Sequence, residues 1–198
     1  MSKTKLENST DKQLKIQTIG RDDSKEDEYH YPYEPTPYVV LQRLAESEYI
    51  TKDNVLVDYG CGKGRVDFYL SAQIGCQTIG VDFDEGMIKK ALENRNSFVG
   101  KSKPEFMCIS AENYEVTDAD CFYFFNPFPL EILQAVLGKV IDSYYRNPRE
   151  MTLFFYYPDD QYVSYLMTKE ELMFVDEIDC RDLFEGENER ERILIFEI

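Results

Sequence analysis

The chain has 198 residues, of which 43% are apolar, and this is enough for one domain with a substantial core. Its 38 acids and 22 bases give a formal net charge of −16. Because nucleic-acid binders draw much of their affinity from a basic footprint on phosphate, this charge disfavours a large nucleic acid as a partner. No apolar run approaches the roughly 18 residues of a membrane span, and the polar start at residues 1–5 is unlike a signal segment. A membrane location is therefore not expected.

Five cysteines are scattered along the chain, without the close spacing of metal-binding pairs. Their odd number argues against a complete disulfide framework, and we expect each to be a small buried apolar residue. The simplest environment is a reducing cytoplasm, and no metal centre is expected. The cysteines are Cys61, Cys76, Cys108, Cys121 and Cys180.

The N-terminal part of the chain changes composition abruptly. Residues 1–28 are polar and charged without a sustained period, and they are predicted to form a flexible tail. Residues 29–38 hold three prolines, which cannot occupy a helix interior, so this aromatic-rich stretch is predicted to be an extended approach segment. Apolar spacing over residues 39–45 predicts the first helix. The chain therefore divides into a tail and a single domain, residues 29–198.

From residue 55 onward, strand signals and helix signals alternate. Short apolar runs predict strands, and the segments with helical apolar spacing between them predict helices. The predicted strands are 55–57, 76–81, 105–109, 119–125 and 151–157, and the helices are 66–72, 87–96 and 130–145. A short helix at 163–167 and two strands, 172–181 and 191–198, complete the chain. This order predicts an α/β fold with a doubly wound, mostly parallel seven-stranded sheet that ends in an antiparallel hairpin.

A glycine-rich turn follows the first of these strands. It reads Asp58-Tyr59-Gly60-Cys61-Gly62-Lys63-Gly64-Arg65. Open parallel sheets bind ligands beyond the carboxyl ends of their strands, and alternate glycines let the backbone turn tightly and approach a ligand. The next helix offers unpaired N–H donors and a positive dipole end, which suit a carboxylate, while Asp58 can accept a hydrogen bond from an ammonium. The turn therefore predicts a site for an amino-acid moiety.

The second and third strands end in residues suited to a nucleoside. Asp82 lies about twenty residues after the glycines, which places an acid for bidentate contact with ribose hydroxyls. Phe83 is predicted to lie against an adenine face. After the third strand, Ser110, Ala111 and Glu112 offer a polar side chain and a backbone amide to the adenine edge.

Other ligands fit the glycine spacing less well. A dinucleotide fingerprint needs its third glycine where Arg65 stands, and the Gly-Lys-Ser/Thr of a Walker loop is absent. A tight turn in a fold that binds nothing is the simplest alternative, but it leaves the register of Asp58, the alternate glycines and Asp82 unexplained. A nicotinamide dehydrogenase is a distant alternative.

Residues 55–65 resemble motif I of the class I methyltransferases that use S-adenosylmethionine (SAM). Residues 80–87 are similar to the second motif of that family, and residues 109–112 to its adenine segment, although many relatives carry Asp in place of Ser110. The resemblance implies SAM as cofactor and S-adenosylhomocysteine as product, with the glycine turn around the methionine end and Asp82 at the ribose. The candidate cofactor-binding residues are Asp58, Tyr59, Gly60, Cys61, Gly62, Gly64, Asp82, Phe83, Ser110, Ala111 and Glu112.

The fourth strand is followed by Asn126-Pro127-Phe128-Pro129, which resembles the Asn-Pro-Pro-Tyr/Phe motif of amino-group methyltransferases. In that motif the Asn amide oxygen and a carbonyl of the proline step accept hydrogen bonds from the target nitrogen, and the aromatic ring stacks on a planar acceptor or faces the developing cation. The resemblance implies Asn126, Pro127 and Phe128 as catalytic candidates, although the aromatic here comes one residue early. A loop that simply ends the strand is the alternative.

Methyl transfer requires alignment of donor and acceptor, and it needs a base only if the acceptor arrives protonated. The single histidine, His30, is a candidate base, but a solvent-facing position in the approach segment suits it better. The tyrosines of that segment are predicted either to line an acceptor mouth or to pack the first helix onto the sheet. They are Tyr29, Tyr31, Tyr33 and Tyr38.

Three functions follow from these motifs, and all of them use SAM. The leading hypothesis is a cytoplasmic N-methyltransferase acting on a protein side chain or a small molecule. An exocyclic amino group in ribosomal or transfer RNA is an alternative acceptor, which the net charge opposes. A SAM-binding regulatory protein without turnover would keep Asp58 and Asp82 but would need no acceptor pocket beside Asn126.

Overall fold

The computed structural model describes residues 3–20, 33–186 and 188–198. Within these residues the chain forms an α/β domain. The helices are α1 Lys3–Leu14, α2 Tyr38–Glu46, α3 Arg65–Gln73, α4 Glu85–Ser97, α5 Leu130–Arg146 and α6 Asp160–Leu166. The strands are β1 Val55–Tyr59, β2 Gln77–Asp82, β3 Glu105–Cys108, β4 Cys121–Phe124, β5 Thr152–Tyr156, β6 Met173–Asp179 and β7 Arg192–Glu197.

The seven strands form one sheet in the order β3-β2-β1-β4-β5-β7-β6. Strands β1 to β5 are parallel, whereas β7 runs antiparallel to both β5 and β6. The predicted fold class, a doubly wound sheet with a terminal antiparallel hairpin, is therefore confirmed. Chain order reverses between β1 and β4, and such a switch point opens a crevice at the carboxyl ends of the strands.

Alternate residues of the central strands enter two cores, one on each face of the sheet. Leu56 and Tyr123 pack with α2 and α3, whereas Val57 and Phe122 pack with α5 on the other face. All four residues of β4 are buried, as expected for a parallel strand that is covered on both sides. The apolar runs seen in the sequence are therefore strands that lie between two layers of helices.

The structure differs from the predicted flexible tail over residues 3–20. Helix α1 packs on the domain, and Leu14 and Ile16 are buried. The Asp11 carboxylate accepts hydrogen bonds from the backbone N–H of Thr18, at 2.6 Å, and from its hydroxyl, at 2.8 Å. Because these anchors are mostly polar, the segment lacks the apolar periodicity that would have indicated a packed helix. His30, Tyr29 and Tyr31 lie outside the described residues, so their predicted roles stay predictions.

Arg65, the first residue of α3, ties this N-terminal segment to the domain. Its side chain is 3% exposed and forms an ion pair with Glu7. Its Nε donates to the Thr18 hydroxyl at 2.8 Å, and Nη1 donates to the carbonyl of Thr36 at 3.2 Å. The guanidinium also lies 4.4 Å from the ring centroid of Tyr38. One buried cation therefore links α1, the approach segment and the helix that follows the glycine turn.

Cysteines and other ligand-type side chains are dispersed in the described part of the chain. All five cysteines are free thiols; four are buried as predicted, whereas Cys108 is exposed. Among residues 3–20, 33–186 and 188–198, no three His, Cys, Asp or Glu side chains are grouped so that they could hold a metal ion. Over the same residues, no helix has both the length and the apolar character needed to cross a membrane.

We expect Arg65→Ala to lower the free energy of unfolding by about 3 kcal/mol, because it leaves the largely buried Glu7 carboxylate without its cation. Urea denaturation followed by circular dichroism measures this loss. Lys52→Ala is the control, since the pair of Lys52 and Asp53 is more than 70% exposed and its removal should leave the midpoint unchanged. Equal midpoints for the two variants would contradict the linking role of Arg65.

Candidate functional site

A cleft of about 1150 Å³, measured out to its open mouth, lies at the carboxyl ends of β1, β2 and β4. This is the switch point of the sheet. All of the site residues predicted from the sequence line this cleft, with the exception of Gly62 and Gly64. Segments that are far apart in the chain therefore converge where the resemblance placed the cofactor and the acceptor.

The glycine turn needs its glycines for two physical reasons. Gly60, Gly62 and Gly64 all have positive φ, at 77°, 53° and 82°, a region that side chains disfavour. A Cβ on Gly60 would also lie 2.5 Å from the Cβ of Pro127, which is closer than two carbon atoms can approach. The turn therefore takes this path only because it carries no side chains, and the β4 loop packs directly on it.

Four backbone donors of this turn are already engaged within the protein. The N–H groups of Gly60 and Cys61 donate to the carbonyl of Val81 at 2.8 and 3.1 Å. The N–H of Gly62 donates to the carboxylate of Asp82 at 2.8 Å, and that of Gly64 donates to the carbonyl of Cys61 at 2.8 Å. A ligand carboxylate would therefore have to find its partners beyond the turn, at the first residues of α3.

Gly62 and Gly64 shape the turn from outside the cleft. A Cβ on Gly62 would lie 2.3 Å from the ring of Tyr33, so the approach segment rests on the turn. The Tyr33 hydroxyl donates to the carbonyl of Thr18 at 2.7 Å, and the amine of Lys63 lies 4.6 Å from the ring centroid. Tyr33 also lines the cleft. Its contacts with Gly62 and Thr18 join it to the glycine turn and to the N-terminal segment, and its predicted role at an acceptor mouth stays a prediction.

Asp58, at the end of β1, is a carboxyl with little access to water. It is 3% exposed, and burial raises its pKa to about 7. A hydrogen bond with Asp67 opposes this rise in pKa, and the negative charge of Asp82 adds to it. A cationic group placed beside Asp58 would stabilise its ionised form, as expected for a partner of an ammonium.

Asp82, at the end of β2, holds two loops together. One carboxylate oxygen accepts the N–H of Gly62 at 2.8 Å, and the other accepts the N–H of Asp84 at 2.9 Å. Since each carboxylate oxygen can accept more than one hydrogen bond, these contacts are compatible with a bidentate partner such as a ribose diol. Asp84 then caps α4 by accepting the N–H groups of Gly86 and Met87.

The predicted adenine subsite forms one wall of the cleft. Phe83 is 40% exposed, so a face of its ring is accessible for stacking. Residues Ala111–Asn113 form a 3-10 turn after β3, in which the N–H of Asn113 donates to the carbonyl of Ser110 at 2.9 Å. Ser110, Ala111 and Glu112 are partly exposed along this wall. The arrangement offers a flat apolar surface beside a polar edge.

Asn126 lines the cleft in an unusual backbone conformation, with φ of +40°, which asparagine tolerates better than most residues. Its Nδ2 donates to the carbonyl of Tyr157 at 2.6 Å, and its Oδ1 accepts the N–H of Asp159 at 3.3 Å. The side chain therefore links the end of β4 to the end of β5. Its amide oxygen has capacity for a second hydrogen bond from the cleft.

The ring of Phe128 is less accessible to an acceptor than the resemblance to the amino-group methyltransferase motif predicts. It is buried, and its ring meets Tyr59 and Phe124 edge-on, with centroids 6.4 Å away in both cases. The ring therefore packs mainly against the sheet, since it comes one residue earlier than in the motif. Phe125, which is only partly buried, also lines the cleft and packs on Tyr156 with centroids 4.7 Å apart.

Sequence reasoning missed several residues of the approach segment and of β4. Thr36 is buried and lines the cleft, and its hydroxyl lies 3.1 Å from that of Tyr123. The prolines on both sides of Thr36 were the available signal, because they indicated a rigid extended stretch. Tyr123 and Phe125 had no such signal, since in the sequence they belong to an apolar run that reads as a buried strand.

Acids dominate the charged lining of the cleft. Among the described lining residues, Arg65 is the only base, and it is already paired with Glu7. The acids are Glu34, Asp58, Asp82, Asp84 and Glu112. The cleft therefore favours ligands that carry positive charge.

Comparison with known proteins agrees with this geometry. Residues 56–147 match the family described as "Methyltransferase domain". Residues 56–147 therefore belong to a methyltransferase domain. A protein-lysine N-methyltransferase from Saccharolobus islandicus (strain REY15A) is 32% identical over 76 residues, which cover 37% of this chain and 47% of that protein. A carboxy-S-adenosyl-L-methionine synthase from Shewanella loihica is 27% identical over 73 residues, which cover 35% of this chain and 30% of that protein. The methyltransferase domain thus aligns with less than half the length of these two relatives.

Solved structures share the fold of the methyltransferase domain. An RNA methyltransferase from Salinibacter ruber, in complex with S-adenosyl-L-homocysteine, superposes with a TM-score of 0.53 and 19% identity, covering 83% of this chain and 92% of that chain. A magnesium protoporphyrin IX methyltransferase from Synechocystis, with bound SAM, has a TM-score of 0.54 and 18% identity, covering 81% and 75% of the two chains. At these identities the likeness concerns the fold alone.

Gly60→Ala should lower the free energy of unfolding by at least about 2 kcal/mol and weaken SAM binding at least tenfold, because the new Cβ meets Pro127 and the positive φ becomes strained. Calorimetry with SAM, and with NAD as a negative control, measures the binding. Gly138→Ala is the matched control, since a Cβ there meets nothing within 4 Å and alanine favours the helix. SAM binding by Gly60→Ala that equals that of Gly138→Ala would contradict this assignment.

Proposed function

We propose that this protein transfers the methyl group of SAM to a nitrogen atom, on a protein side chain such as lysine or on a small amine. The observation that carries the proposal is an acid-lined cleft. It joins buried Asp58 and half-buried Asp82 at strand ends to Asn126 and Pro127 in the loop after the neighbouring strand β4. SAM supplies a methyl group on a positively charged sulfur, together with an ammonium, a carboxylate, a ribose and an adenine.

The residues of the cleft suit each part of this cofactor. Asp58 is buried without a cation, and the ammonium of the methionine end would provide one. The donors of the turn are engaged, so we place the carboxylate at Arg65 and the first turn of α3, where backbone N–H groups and the helix dipole favour an anion. Asp82 would accept the ribose hydroxyls, and Phe83 would stack on the adenine.

The acceptor side of the proposal rests on the loop after β4. The Asn126 amide oxygen and the carbonyl of the proline step would accept hydrogen bonds from the target nitrogen and hold its lone pair toward the methyl group. An acceptor that arrives as an ammonium first loses a proton to solvent, which frees the lone pair of its nitrogen. The new N–C bond then forms as the C–S bond breaks, the electron pair of that bond stays on sulfur, and the methylated nitrogen takes over the positive charge. The buried ring of Phe128 supports the wall of the cleft, and the more exposed Phe125 replaces it as the aromatic nearest an acceptor.

Two observations favour a cationic amine over RNA as the acceptor. The net charge of −16 and the acid-lined cleft repel a phosphate backbone and attract an ammonium. The Saccharolobus relative is named a protein-lysine N-methyltransferase, at 32% identity over part of both chains. A regulator that binds SAM without turnover would not need a cleft that continues to Asn126 and Pro127, so catalysis is the better-supported reading.

Methyl-labelled SAM, incubated with the protein and fractionated cell extract, should label the protein fraction and yield N-methyl-lysine after acid hydrolysis. Protease should remove this label and ribonuclease should not. Label that ribonuclease removes would overturn the protein-acceptor proposal but keep the enzyme. Tight SAM binding without label in protein, RNA or small molecules would favour the regulatory alternative.

Asn126→Ala should reduce kcat about hundredfold and leave the Kd for SAM within about threefold, because the lost hydrogen bond orients the acceptor and not the cofactor. Radiometric turnover and calorimetry measure the two quantities. Asn188→Ala is the matched control, since Asn188 Nδ2 donates to the Tyr157 hydroxyl at 2.8 Å and supports the same loop. Parallel losses of turnover in both variants would assign Asn126 to loop support only.

A further inference from the structure

Asp67 is a second buried carboxyl, and it lies directly behind Asp58. It belongs to α3, and it is 0% exposed. Among the described residues, no N–H or hydroxyl donates to either of its carboxyl oxygens. The carboxyl of Asp58 is the neighbour that interacts with it most strongly. The Thr78 hydroxyl, which lies 3.5 Å from the backbone carbonyl of Asp67, and the backbone N–H of Asp67 interact with this carboxyl more weakly and oppose the rise in its pKa. A fully buried position on a helix is ordinarily occupied by an apolar residue, so a carboxyl group here is unusual.

An ionised Asp67 would have no compensating charge. The titratable groups that face the pair from the surrounding elements are Asp82 on β2, Cys61 in the glycine turn, and Cys76 and Tyr123. None of these described neighbours is a cation. Burial and the nearby Asp58 therefore raise the pKa of Asp67 well above its usual range.

Two carboxyl groups attract each other only when a proton lies between them. Asp58 faces the cleft and the proposed ammonium, whereas Asp67 has only protein around it. The proton therefore resides on Asp67, whose O–H has one available acceptor, the Asp58 carboxylate. This hydrogen bond also lowers the pKa of Asp58 from the value that burial alone would produce.

We propose that Asp67 is a positioning residue: it stays protonated, donates its hydrogen bond to the Asp58 carboxylate, and so holds Asp58 ionised and aimed at the amino group of SAM. The inference rests on the proposed function, because it assigns Asp58 to the cofactor ammonium. Asp67 itself touches neither the cofactor nor the acceptor.

The pair has a consequence for pH. The pKa of Asp58 is about 7 without ligand, and an adjacent ammonium would lower it. Binding SAM below pH 7 therefore releases a proton, and the affinity should fall about tenfold for each pH unit from 7 down to the lowered pKa of the complex. Above pH 7, Asp58 is already ionised and this dependence disappears.

Two substitutions separate a hydrogen-bond donor from a space-filling role. In Asp67→Asn the amide N–H₂ keeps a donor toward Asp58, so the Kd for SAM at pH 7.5 should stay within about threefold of wild type. In Asp67→Ala the donor is lost, and the Kd should rise about tenfold or more, with its pH midpoint shifted upward and kcat at saturating SAM unchanged. Wild-type affinity in Asp67→Ala, or an equal loss in both variants, would overturn the proposal.

A second measurement does not depend on SAM. Since folding raises the pKa of Asp67, the folded protein holds a proton that the unfolded chain releases, and this contribution to stability is lost as pH rises. The ratio of the wild-type unfolding constant to that of Asp67→Asn should therefore increase about tenfold per pH unit between pH 5 and 7. A ratio that does not change with pH would show that Asp67 is ionised in the folded protein, which overturns the inference. If the ratio changes as expected but wild type does not bind SAM, the assignment of the cofactor fails and the protonated Asp67 stands.

Discussion

The cleft depends on how closely two loops approach each other at the switch point of the sheet. Strands β1 and β4 are neighbours in the sheet, and the loops that follow them are in contact where Gly60 faces Pro127. A Cβ atom at position 60 would clash with Pro127. This contact brings the end of β1, with Asp58, beside the loop that begins at Asn126. Candidate cofactor residues and candidate acceptor residues can therefore share one cleft because residue 60 is a glycine, which has no side chain.

Uncompensated negative charge is the second constraint. The cleft holds acids at the ends of β1 and β2, and its one described base, Arg65, is already paired with Glu7. Buried acids without cations weaken the unliganded fold, and a cationic ligand relieves that cost. Because the proposed protonated Asp67 is neutral, it adds no second buried negative charge next to Asp58. The same charge pattern thus links stability to the cofactor site and to the amine acceptor that we propose.

The N-terminal segment closes the outer side of the glycine turn. Helix α1 and residues 15–20 dock through polar contacts to Arg65 and through the ring of Tyr33, which lies on Gly62. Because one buried guanidinium holds several parts of this segment, the turn that bears the cofactor site and the N-terminal helix are coupled. The approach segment then carries Thr36 to the hydroxyl of Tyr123 inside the cleft.

Local patterns in the sequence were sufficient to predict the order of strands and helices from residue 39 onward, and the acids at the ends of β1 and β2. Apolar periodicity, a positive-φ glycine turn and an acid at a strand end act over a few neighbouring residues, so no knowledge of the fold is needed to recognise them. Only the tertiary structure decided that Phe128 packs inward and that Asp67 lies behind Asp58. It also decided that residues 3–20 are anchored, since Arg65 and Glu7 are 58 residues apart in the chain. These features depend on contacts between distant segments, and such contacts leave no periodic trace in the sequence.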